Sequence, residues 1–227
     1  MSDSVAEQNK QQQDDAQGKK PVPLNRLHHI HHAAYRCRDA EQTRWFYEDV
    51  LGFPLMAAMV FDEEPGANKK RDYMHLFFQM GDDNFIAFFD VPDDVEEKMF
   101  IARHGFDQHL AFEVDTMEEL KAWRRKINKA GRPCFGPIDH GFIHSIYMYD
   151  PNGVQLEITT RDSRYDQILA DDAANAHQVL EQWTEKTRAV KQARLGADAL
   201  DMRGIDMSKV DMSKVKKDPA KPHHKPE

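Results

Sequence analysis

The chain repeats itself, and that repeat limits its possible folds more than any single motif does. His32-Ala33-Ala34-Tyr35-Arg36-Cys37 and His109-Leu110-Ala111-Phe112-Glu113-Val114 share one pattern: His, any residue, Ala, an aromatic, any residue, a small apolar residue. Each is followed by an acidic, helix-forming stretch that ends in Gly, Asp39 to Gly52 in the first half and Thr116 to Gly131 in the second. Thr116 and Glu119 stand at the spacing of a capping box, in which each satisfies a backbone N–H of the other's turn. Strand-like runs come next, Tyr73–Met80 and Phe85–Val91, then Ser145–Tyr149 and Val154–Thr159. Each half therefore reads strand, helix, strands. The repeat also selects among the clustered histidines His28, His29, His31 and His32, because only His32 matches His109. Period-two alternation points His31 the opposite way.

The run from Ile138 to Glu157 carries most of the chemistry. Its Asp150-Pro151-Asn152-Gly153 is a hairpin turn with a mechanism, since Pro presets φ and Gly supplies φ > 0. Tyr147 and Tyr149 share one face and Gln155 and Glu157 share another, because side chains two apart lie on the same side of a strand. A carboxylate at the end of the apolar run Val154-Gln155-Leu156-Glu157-Ile158 calls for an explanation, because Glu is rarely buried unless it is paired or metal-bound. The plain alternative is a rim carboxylate on an edge strand. For Tyr147 the plain alternative is an interior aromatic whose hydroxyl has found a backbone partner. For His140 it is a solvent-exposed loop histidine.

On these residues the chain resembles the vicinal oxygen chelate superfamily, which includes glyoxalase I, bleomycin-resistance proteins and type I extradiol dioxygenases. It looks most like the single-domain extradiol dioxygenases. The resemblance covers roughly Leu27 to Thr160 and implies an α+β fold. Two tandem βαβββ modules, about 27–92 and 105–160, would form one half-open mixed β-barrel around a metal site, with C-terminal helices added. Carried over residue by residue, it implies His32, His109 and Glu157 as metal ligands. The fourth family position falls on Ala87, which cannot bind a metal. Two histidines and one carboxylate with an open face suit Fe(II) and O₂, with Mn, Zn or Ni as other occupants.

The same run is similar to the ring-cleavage signature: an apolar residue, one position, His140, five positions, Ile146-Tyr147, two positions, Asp150-Pro151-Asn152-Gly153, three positions, Glu157. By that resemblance Tyr147 would orient an ionised catechol oxygen, and His140 would give a hydrogen bond or proton to the reacting oxygens. One departure stands out. The histidine that such enzymes use at the start of the first module's last strand is replaced here by Asn84 or Asp83, with His144 and His104 as other candidates. The implied function is an Fe(II)-dependent extradiol-type dioxygenase acting on a small aromatic, catechol-like substrate and O₂. The alternatives are a glyoxalase- or isomerase-type metal enzyme of the same fold and a resistance-type protein that binds an aromatic compound without turnover. A cavity lined by Phe77, Phe85, Phe142 and Tyr149 would suit a flat guest.

Composition agrees with a compact enzyme domain. Residues 1–24 are polar and poor in large apolar side chains, so they are expected to be a disordered tail. Residues 25–160 form the expected domain, 161–200 a helical extension packed on the barrel or on a second subunit, and 201–227 a flexible tail. A net charge of −8 argues against a nucleic-acid partner. The short acidic runs Asp62–Glu64 and Asp93–Glu97 read as solvated loops. No apolar stretch reaches the roughly 20 residues of a membrane span, and the N-terminus lacks the apolar region of a secretory leader. The expectation is a cytoplasmic protein with free thiols at Cys37 and Cys134, assembled as a homo-oligomer. Gly131, Gly136 and Gly141 are too scattered for a phosphate loop, so no organic cofactor is implied. His75 reads as a surface or core residue, and no role falls on His177, His223 or His224.

Overall fold

A computed structural model describes residues 27, 29–64, 69–81 and 83–201. The expected tail 1–24, His28 and residues 202–227 lie outside them. The chain divides into two compact units, Met1–His31 and His32–Glu227. In the first, Leu27 and Ile30 are exposed.

Two modules with the same connectivity make up the second unit. The first runs β1 (His32–Cys37), α1 (Ala40–Arg44), β2 (Leu55–Glu64), β3 (Lys69–Gln79) and β4 (Phe85–Asp90). The second runs β5 (Leu110–Glu113), α2 (Met117–Lys129), β6 (Cys134–Asp139), β7 (Ile143–Tyr149) and β8 (Gln155–Arg161). Their sheets have orders β1-β4-β3-β2 and β5-β8-β7-β6. The first strand pairs parallel to the last in each, and the other pairings are antiparallel. The α+β architecture of tandem βαβββ modules is therefore present, as two separate four-stranded sheets and not as a closed barrel.

Local sequence sets the helix starts. Asp39 caps α1 by accepting from Gln42 N at 2.7 Å. The first helix then continues as a π-helical turn over Trp45–Val50. Thr116 and Glu119 form the expected capping box at the start of α2. The acidic run Asp62–Glu64 is not a loop but the end of β2. Cys134 opens β6. Both cysteines are free and buried.

One apolar cluster serves both modules. It joins Leu76, Phe78, Ile86 and Phe88 of the first sheet to Ile146, Met148, Leu156 and Ile158 of the second, with Phe46, Tyr47, Leu120 and Ile127 from the helical segments. Each such side chain contributes about 1.5–3 kcal/mol when fully buried. The β7–β8 turn fastens the modules together. Tyr47 OH donates to Asp150 Oδ2 at 3.0 Å, Asn152 Nδ2 donates to Thr43 Oγ1 at 3.2 Å, and Arg38 N donates to Asn152 Oδ1 at 2.9 Å. Gly153 has φ 79°, and a Cβ there would meet Phe100 O at 2.5 Å, so the turn needs glycine for conformation and for space.

The helical extension is one helix, α3 (Tyr165–Leu195), and none of its residues is buried. The expected packing on the sheets reduces to its first turn, where Tyr165 stacks on Phe142 at 5.9 Å. No helix among the described residues is long and apolar enough to cross a membrane.

Candidate active site

Strand alternation sorts the candidate residues onto the faces turned away from the shared core. In the first sheet, register places His32 beside Phe85 and Ala34 beside Ala87. In the second, Ala111 lies beside Glu157, and Tyr147 faces Glu157 from the other side. The two registers superimpose Ala87 on Glu157 and Phe77 on Tyr147, as the internal repeat requires. Tyr149 pairs with Gln155, so the four residues expected on two faces occupy one.

Glu157 is only 4% exposed, although it is a carboxylate. His109, just ahead of β5, brings Nε2 to 3.3 Å from Glu157 Oε2. The other ring nitrogen, Nδ1, lies 2.8 Å from Gly105 O. A carbonyl can only accept, so Nδ1 carries a proton, and Nε2 is the ring nitrogen turned toward a carboxylate oxygen. Two acceptors facing each other repel unless a cation lies between them, whether a second ring proton or a metal. Two ligands bound at about 2.0–2.2 Å to one metal, at right or tetrahedral angles, are about 3–3.5 Å apart. The His109–Glu157 spacing fits that bite. The Gly105 carbonyl fixes the ligand-ready tautomer, a role usual for an outer partner of a metal-bound histidine.

Tyr147 and His140 flank this pair. The Tyr147 hydroxyl and His140 Nε2 share a hydrogen bond of 2.8 Å. Burial, reinforced by the charge of Glu157, pushes the Tyr147 hydroxyl above its ordinary pKa, so at neutral pH it is a protonated donor. His140 lies in the link between β6 and β7, as expected for a loop residue.

His32 is not brought to this group. It packs against Phe77 at 5.5 Å and His75 at 6.5 Å on the first sheet. Among the described residues no cluster of three or more His, Cys, Asp and Glu could hold a metal. The fit to a metal within one chain thus stops at the His109–Glu157 pair. Ala87 is fully buried between Ala34 and Phe77. Of the acid–base candidates, Asp83 Oδ1 accepts from Gln79 Nε2 at 3.0 Å. His104 meets the Phe106 ring edge to face. His144 has the strand parity of Ile146, and so faces away from Glu157.

The expected aromatic cavity is drawn differently. Phe142 is taken up by Tyr165, and the Tyr149 hydroxyl donates to Arg103 O at 2.9 Å. One cavity among the described residues lies on the first sheet and is lined in part by Phe61, Tyr73, His75 and Phe89. Burial depresses the pKa of His75 to about 4, so it is neutral. Sequence reasoning assigned no role to His75 or to Gly105. A strand histidine in an aromatic-rich run was the available signal for the first. For the second, which works through its carbonyl, no signal existed.

A stretch of 56 residues is 34% identical to "Putative ring-cleaving dioxygenase MhqA" of Bacillus subtilis (strain 168); it covers 25% of this chain and 18% of that protein's length. Among solved structures, a glyoxylase/bleomycin resistance protein/dioxygenase domain from Frankia sp. EAN1pec superposes with a TM-score of 0.50 at 18% identity, over 60% of this chain and 100% of that one. A glyoxalase/dioxygenase from Nostoc punctiforme gives 0.47 at 22% identity, over 64% and 99%. The sequence matches one family across residues 29–158, more than half its length, and the chain belongs to the glyoxalase/bleomycin resistance protein/dioxygenase superfamily.

Proposed function

We propose that this protein is an Fe(II)-dependent extradiol-type dioxygenase that opens an aromatic ring next to vicinal hydroxyls. The observation that carries the reading is the His109–Glu157 pair, with Nε2 held 3.3 Å from an oxygen of a buried carboxylate. Ala87 supports it, because an alanine there offers no fourth protein ligand. The short match to a protein described as a ring-cleaving dioxygenase points the same way.

The third ligand in this reading is His32 of a second copy of the chain. Within one chain, His32 and Glu157 stand on different sheets, each on the face turned from the common core. Beside Tyr147, Phe135 is 64% exposed, and Ile138, paired with Ser145 on that same face, is 46% exposed. Apolar surface of this kind next to a polar site suits burial by a partner.

When bound, Fe(II) supplies the centre at which the catechol oxygens and O₂ are held together. The chain's own groups do the rest. The Tyr147 hydroxyl donates to the ionised catechol oxygen and so fixes which hydroxyl has lost its proton. His140, linked to that hydroxyl through Nε2, takes up or returns the proton as charge moves between the oxygens. The Gly105 carbonyl holds His109 in one tautomer.

Metal analysis of protein purified without oxygen tests the assignment. About one iron per chain is expected, lost in His109→Ala and Glu157→Ala and kept in His31→Ala. Zinc, nickel or manganese in place of iron would favour isomerase-type chemistry. No metal at all would leave a binding protein.

A further inference from the structure

We propose that the cavity on the first sheet is a binding cup for an uncharged, planar aromatic ring that carries hydroxyl groups. It rests on the ring-cleavage reading for its role, as the place where the substrate's ring is held, but not for its capacity to bind. The cup measures about 510 Å³, within the range of small-molecule sites.

Its walls are cross-strand aromatic pairs. Phe61 and Tyr73 are register partners stacked at 5.0 Å and 22°. His75 and Phe89 are register partners stacked at 3.8 Å and 18°. Ala34, an exposed residue with a side chain of one carbon, also lines it and keeps it open at β1. Flat walls that present ring faces and edges favour a flat apolar guest.

The polar inventory narrows the guest further. Arg36 and His75 line the cup from either side of Phe89, and Arg36 Nε and His75 Nε2 are buried without a hydrogen-bond partner. Leaving such groups unpaired costs about 1–3 kcal/mol each, which a ligand oxygen at either place would recover. The remaining guanidinium nitrogens of Arg36 are held by Val91 O and by the Asp94 carbonyl and carboxylate. Arg71 is matched by Glu64, Asp93 and Asp94. Both guanidiniums that line the cup are thus already matched by carboxylates, so a phenol fits better than an aromatic acid. His75 also touches His32, which places the cup beside a proposed metal ligand.

Equilibrium binding to chelator-treated full-length protein tests the cup with no metal contribution. The probes are 2-naphthol, naphthalene and 2-naphthoate, followed by their fluorescence. Wild type should bind 2-naphthol about tenfold more tightly than naphthalene, and 2-naphthoate most weakly. His75→Phe keeps the stacking ring and should abolish the preference for the hydroxyl, whatever small change in stability it brings. Ala34→Phe, at an exposed position, should remove binding of all three with melting temperature unchanged. Equal affinity of wild type for 2-naphthol and naphthalene, a preference that survives His75→Phe, or binding that survives Ala34→Phe would each overturn the proposal. Glu157→Gln separates it from the function: catechol turnover should vanish while 2-naphthol binding stays at the wild-type value. Loss of binding in Glu157→Gln would place the probe at the metal pair and refute the cup.

Discussion

Tyr147 faces Glu157 across the β7–β8 ladder and is bonded to His140, so its hydroxyl can serve structure, chemistry or both. Tyr147→Phe separates the two. Removing one partly exposed hydroxyl should cost about 0.5–1.5 kcal/mol of stability. The same change should lower kcat/KM about 10²-fold or more, the scale of a donor lost from developing charge. Steady-state kinetics with thermal melts on the same preparations decide it; kcat/KM within a factor of two of wild type would make Tyr147 a packing residue. The hairpin that joins its strand to that of Glu157 was legible in the sequence from the tight turn, but the single face the two residues share was not. That His32 and His109 stand at equivalent places, at or just before the start of each module's first strand, was legible too, through the repeat. What could not be read was which face of which sheet meets which. The sequence offers His75 only as a strand histidine. Its neighbours Phe89 and His32 depend on pairings among three strands. Arg36 became part of a cup only once β1 had been laid beside β4.

At the scale of elements, the β7–β8 turn does more than reverse the chain. Asp150 is buried, and burial raises its carboxyl above the ordinary value against the pull of Val154 N, Asn152 and the Tyr47 hydroxyl. Tyr47→Phe removes one of those donors and leaves the carboxylate short of a partner at the seam between modules. A loss of about 1–3 kcal/mol is expected in urea unfolding, with iron content intact. A stability change below 0.5 kcal/mol would show that the latch is dispensable. The turn itself was readable from Pro151 and Gly153, but its docking on Thr43 and Tyr47 was not, because nothing local marks a surface more than a hundred residues away. Two strands escaped notice for a related reason. In β2 the alternation slips between Leu55 and Ala57 and again between Phe61 and Glu63. In β6 it slips between Phe135 and Ile138, around Gly136 and Pro137. A bulge shifts the side-chain period by one and erases the pattern by which strands are recognised. The apolar residues of α3 were seen, but the absence of any burial along it was not, because composition alone does not say whether a helix face has a partner.

For the whole molecule, the central question is whether one chain or two build the site. His32→Ala and Glu157→Ala are each expected to be inactive alone. Mixed and reassembled, they should regain activity, because one of the two sites in each mixed pair then draws its intact His32 from one chain and its intact His109 and Glu157 from the other. Assembly within a single chain would leave every such mixture dead. The fold followed from the repeat, since two copies of strand–helix–strands must bury their apolar faces together. The division of the ligands between the two sheets did not, because the internal repeat is silent on whether equivalent faces meet in one chain or across two. The most direct test of the whole account is oxygen uptake by iron-loaded wild-type protein against a panel of catechols, with the aromatic absorbance followed in the same cell. The account predicts one O₂ consumed for each ring opened, with uptake abolished in Glu157→Ala; iron-loaded wild type that consumes no oxygen with any catechol, or oxidises one with its ring intact, would contradict it.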